Sequence, residues 1–417
     1  MNQPTLDRTK DLELQLWQGT PQQRIAALTL LCRHLGLRSH RGTNCHIHTS
    51  ESFSVFRSPS EAVWQAAREA IAVLGINDHY TVAGHEEFRI ACKAAGISAG
   101  FSMEAVAVDR EAADAGLKLN DPDNPGRIYL CGKGITRYPN QSSPEMQDLA
   151  RMRAALERRN REITAKVAQL FHDRLGADGP TWENVVNLTP RGNATERHVA
   201  FAVLLLLRQF ESEQRKPLAE LMTALCGVAP PADGDDAALQ IFLRAKLMKA
   251  GAPAFVREDP DAFVSVAELR AIFLAFGSIP TYPILGNPVL AGEQNIEALL
   301  DRLESMGFYA VEVIPTRNTR ERLAEIVSAA QRRWWPVFNG TEHNTPEPRP
   351  LLDPFALDPE FEPWFVQSTA LMLGHQRSVA QGNKGFVDSA GTPTISNPQD
   401  RFEYFSQAGQ HDAGTVH

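Results

Sequence analysis

Long apolar runs are missing from this chain. The longest, Val199–Leu207, is broken by Arg208, far short of the ~20 residues a helix needs to cross a bilayer. No membrane segment is therefore expected. Cysteine is scarce: five in 417 residues (Cys32, Cys45, Cys92, Cys131, Cys226), with no CxxC pair. That argues against a thiolate zinc site or a redox dithiol and fits a reduced, cytoplasmic protein. The opening MNQPTLDRTKDLELQ lacks the basic-then-apolar pattern of a secretory signal. Positive charge is also short, 42 Lys and Arg against 50 Asp and Glu, a net charge of −8. No nucleic-acid partner is expected, because phosphate-backbone affinity needs clustered positive charge. Walker A, GxGxxG and GxSxG motifs are absent, which argues against nucleotide-fuelled, dinucleotide and serine-hydrolase chemistry.

What remains is an ordinary globular composition, 43% apolar and 22% charged, with enough apolar residues for a real core. The length suggests about two to four domain-sized units or one large barrel with insertions. Residues 1–40 read as a helical extension, opened by Thr20-Pro21 and closed by Gly36. From residue 41 to 140 short strands (Thr43–His48, Ala72–Asn77, Ile97–Val108, Arg127–Cys131) alternate with helices starting at Ser58-Pro59 and His85. Such alternation predicts a parallel α/β arrangement. Residues 141–277 read as a mostly helical insertion, carrying the stripe Leu149, Met152, Leu156, Ile163, Val167, Leu170. The rhythm resumes over 278–345 with strands at Ile279–Leu285, Ala310–Ile314 and Trp335–Asn339, and Asn318 with Glu321 as a capping box. Residues 346–417 form a Pro-rich extension with one helix near Glu362–Val379 and a polar, loose tail from Gln399.

The chemistry-bearing residues follow the strands. His46 and His48 are two positions apart, so on a strand both rings share a face and can reach one ion. Asp78-His79 ends the next strand, Glu104 lies in the one after, and Glu342-His343 follows the last. Ligand-type side chains at successive strand ends are what a β/α-barrel site requires. Neutral imidazole with carboxylate suits zinc, manganese or iron. Lys133 and Arg317 each follow a strand and are candidates to hold an anion. Arg151, Arg153, Arg158, Arg159 and Arg161 cluster on one helix, read first as its wet face and second as a guide for an anionic substrate.

These motifs resemble the polymerase and histidinol phosphatase (PHP) superfamily, over residues 43–140 and 278–345. His46-Ile-His48-Thr49 is similar to that family's opening motif, and Asn77-Asp78-His79 followed by Gly84 to its second. Ser102-Met-Glu104 falls where the family has a metal-bridging glutamate. Tyr129-Leu-Cys-Gly132, Ile279–Pro288, Ala310–Pro315 and Gly340-Thr-Glu342-His343-Asn344 resemble the later motifs. The chain departs from the pattern at Phe53 (where the family has Asp), Tyr129 and Asn287 (His), Glu342 (Asp) and Asn344 (His). Arg197-His198 resembles a substrate-side stretch of nucleotide-directed members.

The resemblance implies a distorted (β/α)7 TIM-like barrel with a helical insertion domain and helical N- and C-terminal extensions. Members of the family typically bind two or three divalent ions; with the changed positions one or two are expected here, zinc, manganese or iron, with metal ligands drawn from His46, His48, His79, Glu104, Glu342 and His343. His79, Asp78 and His198 are the candidate catalytic groups; Lys133, Arg197 and Arg317 are the candidate substrate-binding groups. The function expected is a metal-dependent hydrolase, a phosphoesterase acting on a small anionic molecule through metal-activated water. The alternatives are a hydrolase or lyase acting on a non-phosphate substrate and a degenerate barrel that only binds. A homo-oligomer is compatible with the sequence.

Overall fold

The computed structural model describes residues 4–36, 41–189, 191–214, 216–286 and 288–410. Its strands are β1 (Arg41–Ile47), β2 (Ile71–His79), β3 (Ser98–Val108), β4 (Arg127–Lys133), β5 (Val264–Ser265), β6 (Ile279–Ile284), β7 (Val311–Val313) and β8 (Val337–Asn339). Seven lie side by side in the order β1-β2-β3-β4-β6-β7-β8, with the short β5 attached to β3. The sheet curls until its edges nearly meet. The Thr341 and Glu342 N–H groups donate to the His46 carbonyl at 3.2 and 2.8 Å, and the His48 N–H donates to the Glu342 carbonyl at 2.7 Å. A Cβ on Gly340 would stand 2.2 Å from the His46 Cβ, so the chain can close past β1 only with glycine there. The fold is a distorted seven-stranded α/β barrel.

One strand departs from the all-parallel expectation. β1–β2, β2–β3, β6–β7 and β7–β8 pair parallel, but β4 runs antiparallel to both β3 and β6. The β3–β4 connection holds only the five-residue helix Arg110–Asp114, not a helix that could carry the chain back across the sheet. Lys133 consequently pairs with Ile279 at the start of β6. The end of β4 points to the barrel floor, while the other six strands of the ring end at the mouth.

Helices cover the barrel, and their caps follow local chemistry. Ser58 accepts from the Glu61 N–H as expected. The helix Arg320–Arg333 is capped by Thr319 rather than Asn318, because the Asn318 amide donates to the Ile314 carbonyl at 3.2 Å. Within 144–256 the helices Pro144–Leu175, Glu196–Gln214, Leu218–Cys226 and Asp236–Leu247 gather their own apolar cluster around Val167, Phe171, Val203, Leu225 and Leu243. The tail read as loose is instead a helix, Pro398–Gln410. Its Phe402 and Phe405 are buried, with Phe402 stacked on Trp364 at 4.4 Å. Two aromatics in a polar stretch sufficed to dock it on the helix Glu362–Ala380.

Candidate metal centre

β1 is buried from Gly42 to Ile47, and its alternation sends His46 and His48 into the barrel. The parallel register of β2 with β3 sets His79 opposite Glu104. These side chains converge. His46 Nε2 and His48 Nε2 lie 3.0 Å apart. Glu104 Oε2 lies 3.4 Å from the first, 3.3 Å from the second and 3.5 Å from His79 Nδ1. Although buried, that oxygen has no hydrogen-bond partner. The His46 and His48 side chains are 0% exposed and Glu104 is 2%, whereas His79 is 19% exposed. Access is therefore from the His79 side.

Two ring nitrogens facing one another around a buried carboxylate oxygen make a place where a cation would be held, because a buried polar group without a partner is costly. Ligand atoms of His46, His48 and Glu104 are close enough to meet on one ion. Two imidazoles and a carboxylate are the donors zinc, manganese and iron accept, so the residues present fit a divalent cation. Without an ion, the neighbouring charges set the protonation of these groups. Burial opposes a charged His46, but the Glu312 and Glu104 carboxylates together overcome it and raise that imidazole to about 9. Burial, then the neighbouring His79, hold His48 well below the usual range. Burial pushes the Glu104 carboxyl up, but His79 and His46 overcome it and hold it well below.

A second cluster lies beneath. Glu312 Oε2 is 3.0 Å from His46 Nδ1, and Cys131 Sγ is 3.4 Å from the same oxygen. Burial first, then Glu312, keeps Cys131 a thiol by raising it well above its usual range. Lys133 Nζ donates to Glu312 Oε1 at 2.7 Å and to the Cys45 carbonyl at 2.9 Å. The Asn77 amide touches His46 Nε2 at 2.9 Å and Cys131 Sγ at 3.3 Å. Sequence reasoning missed Glu312, Cys131 and Asn77. For Glu312 a signal existed: a carboxylate inside Val-Glu-Val on an apolar strand rarely goes without a partner.

The other candidates are dispersed. Lys133, read as facing substrate, is 0% exposed and paired with Glu312, because antiparallel β4 delivers it to the floor. Asp78 does not touch His79; it accepts from Thr49 N and Oγ1 at 2.7 Å each and from Ser52 Oγ at 2.6 Å. Ser52 Oγ in turn lies 3.0 Å from His48 Nδ1. His198 uses Nδ1 to accept from the Thr195 N–H at 3.0 Å, and burial drives it down to about 3 with the Ser50 backbone as its other partner. His343 is committed to Thr341 Oγ1 at 2.8 Å and the Arg349 carbonyl at 2.9 Å, so its ring is turned from the cluster. Glu342 is paired with Arg317 at 2.5 Å. Arg197 makes no hydrogen bond or ion pair among the described residues; burial, then Arg244, lower it to about 10, while Glu342 and Tyr129 pull the other way. The Tyr129 ring is 6.4 Å from that of His79, which places Arg197 toward the mouth. Asn287, His40, His411 and His417 lie outside the described residues.

Backbone strain gathers at the same end. Phe53 (φ 91°), Tyr80 (56°), Glu342 (64°) and His343 (57°) all hold left-handed conformations in the segments after β1, β2 and β8. Such conformations cost about 1–3 kcal/mol each and persist where the surroundings enforce them.

No family model matches the chain, and no curated protein matches it. Among the solved structures similar to it are two at low identity. One is a Bifidobacterium adolescentis protein described provisionally as a metal-dependent phosphoesterase, at 18% identity and a TM-score of 0.49, covering 77% of this chain and 96% of that one. The other is an amidohydrolase from Chromobacterium violaceum with bound sulfate and no metal, at 16% identity and a TM-score of 0.47, covering 72% of this chain and 87% of that one.

Proposed function

We propose that this protein is a metal-dependent hydrolase of the phosphoesterase kind, acting on a small anionic substrate with one divalent ion held by His46, His48 and Glu104. The observation that carries this reading is the buried, unpartnered Glu104 Oε2 set among three imidazoles. When bound, the ion would lower the pKa of a coordinated water and polarise a substrate oxygen. His79, nearest solvent, carries the proton to the leaving oxygen and exchanges it with water. Asp78 is a positioning residue: it fixes Ser52, and Ser52 fixes the His48 ring. Arg197 has no competing partner and a desolvated charge, so it receives the anionic group of the substrate. Glu342 and Arg317 form the rim as a mutual pair. His198 ties the helix Glu196–Gln214 to the loop after β1.

One ion with one guanidinium, that of Arg197, unpaired among the described residues, matches one negative charge near the scissile bond. That favours a phosphodiester first and a carboxylate-bearing lactone or amide second. The test is elemental analysis of dialysed protein, followed by a panel of phosphate esters, lactones and amides in excess manganese or zinc. About one equivalent of metal and release of phosphate monoester are expected. Absence of stoichiometric metal overturns the metal-centre reading. Turnover confined to lactones or amides replaces the phosphoester assignment, and metal without turnover of any class reduces the barrel to a binding protein.

A further inference from the structure

The cluster beneath the metal centre has the donors of a second metal site: His46, Cys131 and Glu312 bring ligand atoms within reach of one point. Yet a cation is already built in there. We infer that the Lys133 ammonium supplies the second positive charge of this barrel, so that the pocket takes one divalent ion and not a pair. This rests on the reading of His46, His48 and Glu104 as the metal centre.

Three observations carry it. Lys133 and Glu312 are both 0% exposed and 2.7 Å apart, so the carboxylate that would hold a second ion already has its counter-charge. The ammonium also donates to the Cys45 carbonyl, one residue before His46, which anchors it under the first site. Charge balance points the same way. Around an ion the ligating imidazoles count as neutral, and the formal charges of Glu104, Glu312 and Lys133 then leave the pocket with one net negative charge. One divalent ion turns that into a single positive charge, which hydroxide or a substrate anion neutralises. Two ions beside Lys133 would leave three buried positive charges, a desolvation burden no other described side chain in the cluster offsets.

The test is metal stoichiometry by elemental analysis after dialysis against zinc, on wild type, Lys133→Ala and Lys133→Met/Glu312→Gln. Wild type is expected to hold one equivalent, Lys133→Ala two, and the double variant, which removes both charges, one again. Circular dichroism establishes which variants are folded. Two equivalents in wild type overturn the inference, as does a folded Lys133→Ala that binds no more than wild type. Should Lys133→Ala fail to fold, the wild-type count and the double variant decide: two equivalents in either overturn it. A wild type that holds no zinc removes the metal-centre reading, while a gain of one equivalent in Lys133→Ala over that wild type still upholds the role of Lys133.

Discussion

The barrel interior and the helix Pro144–Leu175 are both rich in charge, and they treat it in opposite ways. On the helix, Arg158 pairs with Asp259 at 2.6 Å, Arg159 with Glu196 at 2.9 Å and Arg161 with Glu157 at 2.6 Å, while Arg151 pairs with Asp148 at 2.9 Å. Nearly every guanidinium of the basic cluster is already matched. In the barrel, Glu104 Oε2 is buried without a hydrogen-bond partner among the described residues. The exposed pairs, those of Arg151, Arg158 and Arg161, contribute little and are screened by salt, while Arg159 and Glu196 match each other in a largely buried pair. Buried groups left open, as in the barrel, persist only where something outside the chain completes them. The comparison separates a wet helix face from a functional centre, although composition alone makes the helix the more conspicuous of the two.

The strongest way to break that comparison is to remove a ligand. His48→Ala should abolish stoichiometric metal, taking the bound ion from about one equivalent to none, and with it any metal-dependent turnover. Arg158→Ala on the basic helix should leave metal content unchanged. Elemental analysis of the two variants side by side decides; full metal in His48→Ala would show that the imidazole pair is not a ligand set.

Next in size is a pH effect confined to the metal-free protein. Glu312 and Glu104 together raise the His46 imidazole to about 9, from an ordinary 6.5. A group raised in the folded state stabilises it fully below the unfolded value and loses that contribution as pH climbs through the folded one. Chelator-treated protein should therefore lose stability between pH 6.5 and 9, by roughly 3 kcal/mol at 1.36 kcal/mol per unit. His48 and Glu104, whose values are lowered, act at lower pH and leave this window to His46. With manganese bound the slope should flatten, because a ligating imidazole holds no extra proton. Thermal melts across this range, with chelator and with manganese, read it directly; a flat chelator curve contradicts the assignment.

How much of this was legible in the sequence depends on which interaction sets each feature. The His46–His48 pair was legible because strand alternation is local. Glu104 was legible because it sits in a strand next to the one ending at His79. Lys133 was misplaced because the direction of β4 depends on a connection with no crossover helix, which the alternation of strands and helices does not encode. His343 was misassigned because the left-handed turn at Glu342 and His343 rotates that ring onto Thr341 and Arg349. The partners of Asp78 were hidden for a similar reason: the residue beside it in sequence, His79, points to the other face of β2, while Thr49 and Ser52 come from the loop after β1. The barrel itself could be read from periodicity. What periodicity could not supply was which long-range neighbour each polar side chain would find.

Arg197 sharpens the comparison further, since it is a guanidinium of the helical region that behaves like a barrel group: desolvated and unpaired. Arg197→Ala should raise the Michaelis constant for an anionic substrate about 10–100-fold, the loss of about 1.5–3 kcal/mol expected for a charged hydrogen bond. The turnover number should change less, because the residue binds the substrate and not the reacting oxygen alone. Steady-state kinetics on the best substrate of the panel measures both, and an unchanged Michaelis constant returns Arg197 to the structural class.

The smallest effect is predicted for Arg153, the basic-helix member that most resembles an anion site. It lines a cleft of about 390 Å³ together with Arg161, Glu157, Trp182, Thr189 and Asn193. Burial lowers its guanidinium, and its one hydrogen bond among the described residues runs to the Gly192 carbonyl at 3.4 Å. In the same cleft, however, Arg161 is held by Glu157 and lies over the Trp182 ring at 4.8 Å, so the wall carries its own counter-charge. Gly192 and Asn193 border the loop after β1, with the Asn193 N–H donating to the Glu51 carbonyl at 2.6 Å, which makes the Arg153 contact a brace on that loop. Arg153→Ala should therefore destabilise the fold by about 0.5–1 kcal/mol and move the Michaelis constant less than about threefold, a limit of ~0.65 kcal/mol. A tenfold rise with unchanged melting temperature would mean that substrate does reach the insertion, and that the open, substrate-facing region extends from the barrel onto the basic helix.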